Sequence, residues 1–220
     1  MLEMLQVLRP KSNLPSTLLG EVPSSNFISG VDLAAAIGLT VGSSINPNTP
    51  WLHFSYKNKE LYVPKLPFRN SISWISLYNL GAIHGDDSIG IKADARPSVL
   101  QNARVTIGGK TYRVRLLRGS NENPITTSLT AIDSPHFVGA EWSDLFYPIV
   151  TQVYPNYPDK IVTPYSTSQV LTTSPFSLCQ EVELSNKDIS QSRGVTTATR
   201  QAVATQYASA GWRPCLELVP

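Results

Sequence analysis

The chain has 220 residues, of which 41% are apolar and only 15% charged, with 18 basic and 16 acidic side chains and a net charge of +2. The length suits one sizeable domain plus an appendage, or two small domains. The charge balance leaves no footprint for nucleic acid, and no stretch of about 18 apolar residues is present to insert into a membrane as a helix.

Residues 1–10 carry Glu3 and Arg9 and no long apolar core, which argues against an export signal. Folding in a reducing cytosol is therefore expected. Cys179 and Cys215 are then read as buried thiols in preference to a disulfide. Their spacing is not Cys-x-x-Cys, so neither a zinc site nor any other metal or cofactor is expected.

Residues 1–50 form an N-terminal arm, with prolines at 10, 15, 23, 47 and 50 and many Ser and Asn. One short helix is predicted over residues 29–38. Ser29 caps it, Asp32 stands three residues on, Leu33 to Ile37 are mostly good helix formers, and Gly38 ends it. Such an arm is either a linker or a segment that folds against a partner. Met1, Leu2, Met4, Leu5, Phe27, Ile28 and Leu39 are too apolar for a plain linker and favour the partner.

Compact structure is expected from Trp51, over residues 51–220. Leu52, Phe54 and Tyr56 alternate, as do Leu61 and Val63, on either side of Lys57-Asn58-Lys59, which predicts a hairpin. Ser71 or Ser73 starts a helix through Leu80, with Trp74 on its apolar side and Gly81 as its stop. His84 beside Gly85-Asp86-Asp87 has no second His or Cys spaced to join it as a metal ligand. Residues 86–102 form a loose stretch.

The clearest hairpin follows, Arg104 to Ile107 and Lys110 to Leu117 around Gly108-Gly109. Tyr112, Val114 and Leu116 form its buried face, and Arg113 and Arg115 a solvated basic one. Trp142, Leu145, Phe146 and Ile149 follow at i, i+3, i+4 and i+7, a helix over 140–149 with Trp142 at its centre. Residues 177–183 alternate as a strand, 185–210 read as a long polar loop, and 211–220 as a final strand opened by Trp212. Trp74, Trp142, Phe146 and Trp212 are the expected core, with Trp142 and Trp212 close in space.

Several motifs together carry a resemblance. They are Trp51-Leu52-x-Phe54, Ser71-x-Ser73-Trp74, Gly109-Lys110-Thr111-Tyr112-x-Val114-Arg115-Leu116-Leu117-x-Gly119, Glu141-Trp142-Ser143-Asp144-Leu145-Phe146, Cys179-Gln180-Glu181, and Gly211-Trp212-Arg213-Pro214-Cys215-Leu216-Glu217-Leu218. With residues 20–40, these resemble a family of tailed-bacteriophage virion proteins whose C-terminal part is similar to C-type-lectin-like and formylglycine-generating-enzyme-like domains. The resemblance implies an α+β, C-type-lectin-like domain, a twisted antiparallel sheet with two helices. Its N- and C-terminal strands would lie close together.

It also implies a virion structural protein, tail- or capsid-associated as a fibre, decoration or adaptor. Such a protein would fold in the host cytoplasm, form a homo-oligomer, and dock to other virion proteins by its arm. The alternative is a receptor-binding protein that recognises a host surface glycan or protein without calcium. Calcium binding would need a carboxylate–Pro–Asn loop, whereas Glu122-Asn123-Pro124 has another order. No spacing of Ser, Cys, His or carboxylates suggests catalysis, so the chain is expected not to be an enzyme. In either role, the candidate ligand or subunit contacts are Arg193, Arg200, Gln201 and Tyr207 in the 185–210 stretch.

Overall fold

A computed structural model describes residues 16–90, 97–126, 139–146, 149, 165, 169–170, 176–194 and 198–220. In chain order the elements begin with β1 (Ser16–Val22), α1 (Gly30–Ala36), β2 (Ser43–Ser44), β3 (Trp51–Tyr56), β4 (Lys59–Pro64), β5 (Arg69–Asn70) and α2 (Trp74–Tyr78). They continue with β6 (Arg104–Ile107), β7 (Lys110–Arg115), α3 (Glu141–Phe146), β8 (Phe176–Val182), β9 (Ile189–Arg193), β10 (Ala198–Ala202), β11 (Ala210–Gly211) and β12 (Cys215–Leu218). The fold is α+β, mostly sheet with short helices.

Both predicted hairpins form, the first with a turn one residue tighter than the sequence suggests and the second with the expected two-residue turn. Lys57 and Asn58 adopt φ of +46° and +63°, a two-residue primed turn, so Lys59 opens β4 and does not belong to the turn. Gly108 and Gly109, at +57° and +78°, make the same turn between β6 and β7.

The main sheet has the order β1-β3-β4-β12-β7-β6, with every pairing antiparallel. The last strand is thus central, because Leu216 lies opposite both Tyr62 of β4 and Val114 of β7. The C-terminal run is not one strand. Ala210 and Gly211 pair in parallel with β8 of a second sheet, ordered β10-β9-β8-β11. Pro214, which has no N–H to give a ladder, falls between β11 and β12. The last eleven residues therefore tie the two sheets together.

Alternation places apolar side chains on both faces of the main sheet. Tyr62, Tyr112, Val114 and Leu216 face one cluster, with Leu33 of α1, Trp74 and Tyr78 of α2, Phe68 and Trp212. Leu52, Phe54, Leu61, Val63 and Cys215 face a second cluster, with Trp142, Leu145 and Phe146 of α3. Covered on both faces, the central strands β3, β4 and β12 bury most of their side chains, which suits the low charge content. Trp142 and Trp212 are both fully buried but belong to opposite clusters. The expected proximity of the two indoles is replaced by contact through Arg213, whose guanidinium lies 5.4 Å from the Trp142 ring centre.

Residues 16–50 do not behave as an arm beside an independent domain. β1 pairs along the whole of β3, Leu33 and Leu39 join the first cluster, and the Trp51 indole donates to the Ile28 carbonyl at 2.8 Å. The α1 cap is as the sequence suggests, with the Asp32 N–H donating to Ser29 Oγ at 3.1 Å. Sequence composition misses the packing because a segment with few apolar residues still docks when each one has a slot. The apolar run at residues 1–8 lies outside the described residues.

The 185–210 stretch also differs from the expected loop. It contains β9 and β10, paired from Ala198↔Arg193 to Ala202↔Ile189. The few large apolar side chains in it conceal strands whose inner face is polar.

Candidate functional site

The strands just described decide the fate of the four candidate contacts. Arg193, on β9, is fully buried, with its Nη2 3.4 Å from Ser143 Oγ of α3. Gln201, on β10, is 5% exposed. Arg200, one residue earlier, points to the other side, where its guanidinium grips the Glu183 carboxylate through Nε and, at 2.6 Å, through Nη2. Tyr207 is half-buried against the first cluster, in a bridge with Ile72. The structure does not gather the four on one surface. Neighbouring strand residues face opposite ways, so Arg200 and Gln201 cannot both present to one ligand.

The arginines of β7 depart further from expectation. Arg115 is 4% exposed and clamps two carboxylates. Its Nη1 and Nη2 donate to the two oxygens of Glu141 at 2.7 and 2.8 Å, and its Nε donates to Glu217 Oε2 at 3.0 Å. The Arg118 backbone N–H adds a third bond to Glu141 at 3.1 Å. Cys215↔Arg115 and Glu217↔Arg113 are register partners, so β12 delivers Glu217 between the two arginines of β7. The α3 helix delivers Glu141 from above.

From this clamp a chain of charges runs outward. Glu217 also takes Lys59 at 3.0 Å and Arg113 at 3.4 Å, and Arg113 and Arg104 share Asp87, with Arg104 at 2.7 and 2.8 Å. Burial alone would raise the Glu217 carboxyl, but the charges of Arg115 and Lys59 outweigh it and hold the pKa below the usual range. One turn along α3, Asp144 accepts from the Tyr56 hydroxyl at 2.9 Å. Burial raises its pKa against that bond and the charge of Lys57. The clamped carboxylates hold their oxygens in bidentate or charge-assisted bonds. A general base needs a lone pair aimed at a substrate, and Glu141 and Glu217 aim theirs at Arg115.

A second buried polar group sits where the chain leaves β7. Glu181, on β8, is fully buried and accepts the Gly119 N–H on both oxygens, at 3.1 and 3.0 Å. Burial pushes its pKa up to about 7, against the bonds from the Gly119 and Ser120 backbone and the charge of Arg118. Gly119 must be glycine here, because a Cβ would lie 2.7 Å from Cys179 Sγ and 2.9 Å from Arg193 Cγ. Arg213 is also fully buried, stacked 4.8 Å from the Phe146 ring centre, with Nη2 donating to the Val170 carbonyl. Its Nε and Nη1 have no hydrogen-bond partner among the described residues, and burial lowers its pKa to about 9. Cys179 and Cys215 are separate buried thiols, and burial raises Cys215 to about 12 and Cys179 well above the ordinary thiol range. Unionised thiols of this kind are poor nucleophiles.

Sequence reasoning missed Glu141, Glu181 and Glu217 as a class. A usable signal exists, since each stands within a run read as a strand or a buried helix (Ala140-Glu141-Trp142, Gln180-Glu181-Val182, Leu216-Glu217-Leu218). A carboxylate inside such a run is buried and must be paired.

On the surface, a groove of about 730 Å³ is lined by residues between Glu21 and Asp32, with Asn48 and Pro50. Pro23, Phe27, Ile28 and Pro50 give it an apolar floor, and its two carboxylates are Glu21, paired with Lys65, and the exposed Asp32. Among the described residues no group of three or more His, Cys, Asp or Glu could hold a metal ion, and no helix is long and apolar enough to cross a membrane. No family model, curated protein or solved structure matches this chain.

Proposed function

We propose that the chain is a structural protein of a tailed-bacteriophage virion, tail- or capsid-associated, that displays a C-type-lectin-like domain and docks through its N-terminal residues. One observation carries this reading. Four ionisable groups of the interior, Arg115, Glu141, Glu217 and Glu181, are committed to holding β7, β12, α3 and β8 together. That is the economy of a scaffold. The motifs of the resemblance include these four residues, and that overlap supports the reading.

The docking segment is narrower than residues 1–50. Residues 16–50 belong to the core, so docking falls to residues 1–15, upstream of the edge strand β1. Edge strands are natural points for association with another chain. Of the four contacts named for the receptor-binding alternative, Arg193 and Gln201 are buried within the protomer, which leaves that reading Arg200 and Tyr207.

Removing residues 2–13 is the test. The truncated chain should keep its thermal melt and be missing from purified particles when it replaces the full-length chain during infection. Normal incorporation overturns docking through this segment. Removing residues 1–48, by contrast, takes away β1, α1, Leu33 and Leu39 and should abolish folding.

A further inference from the structure

We infer that the acidic groove beside α1 receives the N-terminal segment of a second copy of this chain, so that copies join arm to groove. The claim deepens the docking reading by naming the partner as the chain itself.

The groove and the segment are complementary. Pro23, Phe27, Ile28 and Pro50 form the apolar floor. Glu21 is held by Lys65 at 2.8 Å and the Tyr165 hydroxyl at 2.5 Å, which fixes one wall. Asp32 is exposed, bound to the Ser29 hydroxyl at 2.6 Å and positioned by the first turn of α1. An occupant of this groove needs apolar side chains beside a positive charge. Residues 1–15 read Met-Leu-Glu-Met-Leu-Gln-Val-Leu-Arg-Pro-Lys-Ser-Asn-Leu-Pro, largely apolar up to Leu8, with Arg9 next to Leu8 and Lys11 three residues before Leu14.

Geometry selects a second copy over the same chain. Ser16 pairs with Tyr56 and Val22 with Trp51, so the start of β1 lies at the end away from the groove. From Ser16 to Glu21 the strand covers about 17 Å at about 3.4 Å per residue. A chain folding back on itself would use about four residues to reverse and about five to return. Only about residues 1–6 would then reach the groove, and Arg9 and Lys11 would fall short. A neighbouring copy can lay residues 8–14 straight into it.

Sedimentation velocity on the purified full-length chain should show self-association that weakens with salt. Asp32→Lys, or Arg9→Glu with Lys11→Glu, should each weaken it by about fivefold or more, and all three changes in one chain should restore it. A monomeric full-length chain, or no restoration, overturns the inference. A second measurement does not depend on the charge changes. Leu8→Cys chains mixed with Ser25→Cys chains should oxidise to a cross-linked pair of the two. Cross-linking only within single chains that carry both substitutions places the segment in its own groove and also overturns the inference. Intact self-association with failed incorporation into particles would count against the virion reading alone.

Discussion

Arg115→Met would remove the centre of the charged network while keeping most of the side-chain volume. Its two carboxylate partners would fare differently. Glu217 would keep Lys59 at 3.0 Å and Arg113 at 3.4 Å. Glu141 would lose both bonds of 2.7 and 2.8 Å and keep only the Arg118 N–H among its described partners. Breaking a buried pair by removing one partner costs about 3–5 kcal/mol, because a charge is left buried without compensation. With Glu217 still paired, the lower end of that range is expected. At about 2–4 °C per kcal/mol for a chain of this size, the melting temperature should fall by roughly 10 °C.

Arg115→Met with Glu141→Gln removes the orphaned charge, so about 1–2 kcal/mol should return as coupling between the sites. The penalty should also shrink from pH 8 to pH 5. An unpaired buried carboxyl has a raised pKa and takes up a proton as pH falls, which removes its charge. Urea melts of the wild type, both single variants and the double variant, at both pH values, measure every quantity. A loss below about 1 kcal/mol for Arg115→Met, or strict additivity in the double variant, would refute the clamp as a structural device.

Three further outcomes are expected. Glu181 has a folded pKa of about 7, raised from 4.5, so its contribution to stability is full below pH 4.5 and is lost as pH rises through 7. Glu181→Gln should therefore gain on the wild type between pH 5 and pH 8 in urea melts, and a difference independent of pH would count against a buried titrating carboxyl. Gly119→Ala should cost about 1–3 kcal/mol by overpacking against Cys179 and Arg193, and a neutral result in thermal melts would show that this crossing can relax. Trp142→Ala should cost about 3–5 kcal/mol, since the indole is fully buried, stacks on Phe146 at 4.5 Å and donates to the Gly194 carbonyl at 2.9 Å. A loss under about 1 kcal/mol in the same melts would remove it from the core.

Local chemistry was legible in the sequence wherever a feature is decided by neighbours along the chain. Ser29 and Ser73 cap their helices, and Gly108-Gly109 turns its hairpin, because capping and positive φ involve only three or four consecutive residues. The spacing of Trp142, Leu145 and Phe146 likewise marks a buried helix face. Three things were decided only by the tertiary structure. The final strand sits at the centre of the main sheet, since strand order follows from contacts between residues far apart. Residues 16–50 join the core, since a few apolar side chains suffice once partners supply the slots. The polar residues of β7, β9 and β12 turn inward, since a charged side chain is buried when its counter-charge comes from a distant element. Arg115 reads as a solvated side chain until α3 brings Glu141 and β12 brings Glu217 against it.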